Sequence, residues 1–140
     1  GVVLTGSQTE AEMFNLQSAS AAPLPASVLG LMGQLSVREL MAVIAAGHAV
    51  VSGATGPAHI AAAFGVPNVS LFDPRRNNLP TRWQPLGKGV VLRPDVPTCE
   101  KCIYEACPHW DCLDRLTVEA VAEHVLGVMK RPAPLRVVHV

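Results

Sequence analysis

The stretch from Val50 to Phe72, VVSGATGPAHIAAAFGVPNVSLF, constrains the fold more than any other part of the chain. Ala49-Val50-Val51 is a short apolar run of the kind a buried parallel strand requires. Ser52-Gly53-Ala54-Thr55-Gly56 is a loop of small residues. Pro57 suits the first turn of a helix, where its missing N–H leaves nothing unpaired. Ala58 to Phe64 reads as that helix, Gly65-Val66-Pro67 stops it, and Val69-Ser70-Leu71-Phe72 opens the next strand. Backbone N–H groups at a helix start beside glycines favour an anion, typically a phosphate. Thr55 stands just before this helix start and His59 just inside it. The competing interpretation is that the small residues only let the helix lie close to a sheet.

The same alternation runs along the rest of the chain. Val2-Val3-Leu4-Thr5 reads as a strand closed by Gly6-Ser7, and Thr9 as the cap of a helix reaching about Ala19, with Glu10 and Glu12 in its first turn. Ala21 to Ser27 is a connection, and Val28-Leu29-Gly30-Leu31-Met32 a weaker strand, because a glycine sits inside it. Ser36 followed by Glu39 is a capping-box pattern, which predicts a helix from Val37 to about Ala46, ended by Gly47. After Phe72, Asp73 to Pro80 is a polar loop with an extended tail through Trp83 to Gly87. Gly89-Val90-Val91-Leu92 is a short strand. Thr117 caps a final amphipathic helix, Glu119 to Lys130, and Leu135 to Val140 is either a frayed end or an added edge strand.

Strands alternating with helices predict an α/β fold, a Rossmann-like parallel sheet with helices on both faces. Ligands of such sheets bind beyond the carboxyl ends of the strands. The loops Gly6 to Thr9, Gly33 to Ser36 and Ser52 to Pro57 would all open there, which favours the phosphate interpretation of the opening stretch. Neither G-x-G-x-x-G after the first strand nor G-x-x-x-x-G-K-[ST] is present, so a dehydrogenase or a P-loop NTPase finds no support.

With 140 residues, the chain is expected to form one domain, 1–140, with a Cys-rich loop at 99–112. Hydrophobic residues make up 49% and aromatic ones 4%, so the core must be built mainly from Ala, Val, Leu and Ile. The formal net charge of +0 gives no reason to expect nucleic acid as a partner. No apolar run is long enough for a transmembrane segment, and the start carries no signal-peptide pattern. Gly1-Val2-Val3-Leu4 opens directly in an apolar run, as a piece cut from a longer protein would.

Taken in order, Leu31-x-Gly33-x-x-Ser36-x-x-Glu39-Leu40, Val50-Val51-Ser52, Thr55-Gly56-Pro57-Ala58-His59-Ile60-Ala61-Ala62-Ala63-x-Gly65-x-Pro67 and Leu71-Phe72 resemble the carboxy-terminal domain of the lipopolysaccharide heptosyltransferases, glycosyltransferase family 9. The first strand with Gly6-Ser7-x-x-Glu10, and the segment Cys99-x-x-Cys102, Cys107-Pro108, Cys112 before a helix beginning at Thr117, fit the same family. The resemblance implies one half of a GT-B glycosyltransferase. This half would hold a nucleotide-diphosphate sugar donor, usually ADP-heptose. A facing domain, absent here together with the opening strand of this half, would hold a lipid A–core saccharide acceptor and the catalytic carboxylate. No catalytic residue is therefore expected in this stretch, and alone it is expected to transfer no sugar.

By the same resemblance, Thr55 and Gly56 would meet the diphosphate, His59 a phosphate or sugar oxygen, Glu10 the ribose hydroxyls, and Leu35 the adenine. Transfer in this class needs no metal cofactor, and the location would be cytoplasmic, peripheral to the inner membrane. Ala54 departs from the family, which often has Asp before Thr-Gly, and this puts the donor's identity in question. The alternative from another class is a non-catalytic nucleotide-binding or zinc-stabilised interaction module.

Three further groups have more than one reading. Asp73 follows a strand end and could bind sugar hydroxyls, although Asp-Pro is also a turn signal. Arg75 and Arg76 could clamp phosphate, although charged loops are more often simply solvated. Cys99, Cys102, Cys107 and Cys112 have knuckle-like spacing, and four thiolates could make a closed, structural zinc site. An iron–sulfur cluster, two disulfides or four reduced thiols are the alternatives, with a cytoplasmic location weighing against disulfides.

Overall fold

A computed structural model describes residues 1–19 and 23–140; part of the connection expected at Ala21 to Ser27 lies outside the described residues. The chain divides into two compact units, Gly1–Val43 and Ile44–Val140, and each is taken in turn.

In the first unit, β1 (Val2–Leu4) is followed by α1 (Gln8–Gln17) and β2 (Val28–Gly30), and the two strands pair in parallel, Val2 opposite Val28 and Leu4 opposite Gly30. The cap of α1 is Ser7, not Thr9. Ser7 and Glu10 form a full capping box, with the Ser7 N–H donating to Glu10 Oε2 at 2.7 Å and the Glu10 N–H donating to Ser7 Oγ at 3.2 Å. Helix α2 (Val37–Ala45), which runs across the boundary between the units, starts on the expected box, with the Ser36 N–H donating to Glu39 Oε2 at 2.8 Å. The hydrogen bonds from Ser7, its backbone N–H first and its hydroxyl second, hold the Glu10 carboxyl below the usual carboxylate range. A lowered folded-state pKa means that this contribution is complete above the ordinary carboxylate value and is lost as pH falls through the lowered one. Ser7→Ala is expected to cost about 1 kcal/mol and to speed hydrogen exchange of the Glu10 amide; unchanged exchange would refute the cap.

The second unit is a four-stranded parallel sheet, ordered β3 (Val50–Gly53), β4 (Asn68–Leu71), β5 (Gly89–Arg93), β6 (Arg136–His139). The chain's tail is thus an edge strand. Val69, Val90 and Leu92 point to one face, where Val128 of α5 (Val118–Lys130) seals them, with Val121, Val125 and Leu116 packed around. The alternate residues of β4 and β5 face the other way, and they are buried too: Asn68, Ser70 and Val91 are all at 0% exposure. The two polar ones are satisfied, Ser70 Oγ donating to Asn68 Oδ1 at 2.8 Å and Asn68 Nδ2 to the Lys88 carbonyl at 3.2 Å. Strands covered on both faces explain why the sequence shows continuous apolar runs instead of alternation.

Helix α3 (Gly56–Ala63) packs on β3 and β4 with Ala58 and Ala61 fully buried, so its small residues serve close packing as well. Pro57 lies in its first turn and Thr55 just before it, as the sequence suggests, whereas Ser52 and Gly53, expected in the loop, belong to β3. The polar loop after β4 also differs from expectation. Instead of an extended tail it carries a 3-10 turn, Arg76–Asn78, and the one-turn helix α4 (Pro80–Trp83), started by a buried proline. At four residues, α4 is too short to show a period in the sequence.

Candidate functional site

In the second unit the carboxyl ends of β3 and β4 open onto a cavity of about 340 Å³. Its lining is Gly53, Ala54 and Thr55 from the turn into α3, Leu71, Asp73, Arg75 and Asn78 from the end of β4 and its loop, and Leu113 and Leu116 before α5. This is where an open parallel sheet is expected to hold a ligand.

The turn into α3 has its own accounting of donors. The Thr55 N–H donates to the Gly53 carbonyl at 2.8 Å and the Ala58 N–H to the Thr55 carbonyl at 3.2 Å, while Pro57 has no N–H. Among the described residues the amides of Ala54 and Gly56 meet no backbone acceptor, and the Thr55 side chain makes no cap bond. The helix start therefore presents uncommitted donors, as an anion seat requires. Thr55 lines the cavity. His59 does not. It is exposed and meets Trp83 edge-on, ring centroids 6.4 Å apart, with the Arg82 guanidinium 5.9 Å from the Trp83 ring.

The other two expected donor contacts, Glu10 and Leu35, belong to the first unit. There the loops following β1 and β2 come together, with the Gly33 N–H donating to the Gly6 carbonyl at 2.8 Å. Gly33 has φ +71°, and a Cβ at that position would press on the Gln8 side chain, so the turn requires glycine. Glu10 Oε2 is occupied by the Ser7 N–H and, at 2.8 Å, the Ser7 hydroxyl. Leu35 is half-buried in the connection leading to α2.

Asp73 is the acceptor around which the β4 loop is organised. Its Oδ1 accepts from the Arg75 N–H at 2.8 Å and Arg75 Nε at 3.0 Å, and its Oδ2 from Arg75 Nη2 and Asn78 Nδ2, both at 2.7 Å. Burial by itself would raise the Asp73 pKa, but the bonds from Arg75 and Asn78 outweigh it and hold the carboxyl below its ordinary value. Arg76 is spent elsewhere, in an exposed ion pair with Glu100 at 2.8 Å.

The cysteine segment forms part of the cavity's surroundings. The Cys99 N–H donates to the Pro74 carbonyl at 3.2 Å and the Arg76 N–H to the Cys99 carbonyl at 2.8 Å, stitching the segment to the β4 loop. All four thiols are free, and burial, foremost, pushes the Cys99 and Cys112 thiols up. Among the described residues no group of three or more His, Cys, Asp or Glu side chains is placed to hold a metal ion. The expected tetrahedral set of Cys99, Cys102, Cys107 and Cys112 is thus not assembled here. Cys99 is fixed to the β4 loop, and Cys107 follows the 3-10 turn Tyr104–Ala106, its sulfur accepting from the His109 N–H at 3.4 Å.

One residue gives no signal in the sequence. Arg93 ends β5 with 8% exposure, and no protein atom among the described residues accepts from its Nε or Nη2. A single arginine closing an apolar run reads only as a strand boundary.

Parallel sheets flanked by helices, with a cavity at the strand ends, define a Rossmann-like α/β protein consistent with half of a GT-B enzyme. Residues 1–109 match the model of glycosyltransferase family 9 (heptosyltransferase), and the chain belongs to that family. No curated protein matches the chain, and no solved structure does. Among the described residues no helix is long and apolar enough to cross a membrane.

Proposed function

We propose that the chain is the donor-binding half of a heptosyl-type glycosyltransferase. Its donor is a nucleotide-diphosphate sugar, ADP-heptose or a close relative, and its acceptor a lipopolysaccharide core saccharide held by a facing domain. The observation that carries this is the cavity at the ends of β3 and β4, where Ala54, whose amide is uncommitted, and Thr55 at the α3 start share one lining with the Arg75 guanidinium. In the transfer, the bond from sugar C1 to the diphosphate oxygen breaks and its electrons leave with the nucleoside diphosphate. The acceptor oxygen bonds to C1, and its proton passes to a carboxylate of the facing domain. Negative charge grows on the leaving group, and donors fixed beforehand at a helix start stabilise it without reorganising. No metal cofactor is invoked for this step, and the reaction is assigned to the cytoplasmic face of the inner membrane.

Titration calorimetry of the chain with ADP, UDP, GDP and their sugar conjugates tests this. ADP and ADP-heptose are expected to bind more tightly than the uridine and guanosine compounds. No binding of any nucleoside diphosphate would overturn the proposal in favour of an interaction module.

A further inference from the structure

Asp73 was open to a ligand role in the sequence, as a partner for sugar hydroxyls. Its geometry gives it another. Its two oxygens already accept four hydrogen bonds, all from its own loop, and its side chain is only 17% exposed. It is a positioning group. It grips Arg75 side-on through Nε and Nη2, the bidentate fork that fixes a guanidinium in both place and plane. Asn78 braces the same carboxylate from the next turn. Backbone bonds between Pro74, Arg76 and Cys99 hold the loop on both sides of Arg75.

Such anchoring leaves the Nη1 end of Arg75 uncommitted among the described residues. The side chain is 47% exposed, so a ligand can reach it, and it lines the cavity that also receives Thr55 and the α3 turn. Its neighbour Arg76 has none of these properties: it is 66% exposed, paired with Glu100, and absent from the lining. The two arginines, equivalent in the sequence, have therefore been assigned different tasks by the fold.

We infer that Arg75, held by Asp73 and Asn78, binds the diphosphate of the nucleoside-diphosphate donor together with the helix start at Thr55 and Gly56. This rests on the donor-binding function proposed above. A prefixed cation suits a leaving group on which charge accumulates, because its side chain needs little further ordering at the moment of reaction. Asp73 acts through Arg75 and touches no ligand.

The test measures binding of ADP, AMP and inorganic pyrophosphate to the wild-type chain and to Arg75→Lys, Arg75→Gln, Asp73→Asn and Arg76→Gln, each checked for folding by circular dichroism. Arg75→Gln is expected to weaken ADP and pyrophosphate about 10- to 100-fold, the range for losing a charged hydrogen-bond donor. AMP should be weakened less, and the salt dependence of pyrophosphate binding should flatten in Arg75→Gln, which a purely structural role would not produce. Arg75→Lys keeps the charge without the fork and should fall between, as should Asp73→Asn. Arg76→Gln should match wild type. If wild type binds ADP and Arg75→Gln binds it equally well, the role of Arg75 is overturned while the donor-binding function stands. If wild type binds no nucleoside diphosphate, both fall.

Discussion

Gly89→Ala is expected to cost about 3–5 kcal/mol, at the extreme of what single substitutions do. Gly89 opens β5 at φ +141°, a conformation that residues with a Cβ rarely adopt. A Cβ there would lie on the Asn68 carbonyl oxygen and within 2.9 Å of the Asn68 C and N atoms, all backbone. Nothing flexible can yield. Asn68 and Gly89 form the first rung of the β4–β5 pairing, and the Gly89 N–H also donates to the Ala133 carbonyl at 3.0 Å. Moving the rung loosens the two strands that carry Val69, Val90 and Leu92. Urea denaturation followed by far-ultraviolet circular dichroism is the measurement, and a variant within about 1 kcal/mol of wild type, the ordinary size of a point-mutant effect, would contradict the close approach.

Arg93→Met is expected to act in the other direction, stabilising the second unit by about 1–4 kcal/mol, the range seen when buried ionic groups give way to apolar ones of similar volume. Arg93 is buried, and among the described residues its guanidinium has neither an acidic partner nor a hydrogen bond from Nε or Nη2. Methionine keeps much of the aliphatic stem and removes the desolvated head. The midpoint in urea should rise. A lower midpoint would mean that the guanidinium makes a favourable contact which methionine cannot replace.

What the sequence made legible follows from which features are local. The β3–α3–β4 unit could be read because its strands are apolar runs and its turns are marked by glycine and proline. The α2 cap could be read because Ser36 and Glu39 stand at the spacing the motif needs. At α1, Ser7-Gln8-Thr9-Glu10 offers two capping residues, and only the reciprocal bond between Ser7 and Glu10 decides between them. The last strand could not be settled because an apolar tail has no period of its own. Its pairing with β5 settles it. The family resemblance likewise rested on ordered local motifs and was sound, whereas the equipment of the cavity is tertiary. Nothing local distinguishes Arg75 from Arg76. The difference appears only when the loop turns Asp73 and Asn78 back onto one of them and leaves the other on the rim.

Strand β3 has a consequence for handling. Within the second unit, among the described residues, β3 pairs with β4 alone, and Val51 stands in its middle. The sequence Val50-Val51-Ser52-Gly53 contains no lysine or proline, the residues by which sheet edges are commonly blunted. Wherever the second unit folds by itself, such an edge is a template for strand recruitment, and chain concentration, as much as intrinsic stability, then determines the yield of folded protein.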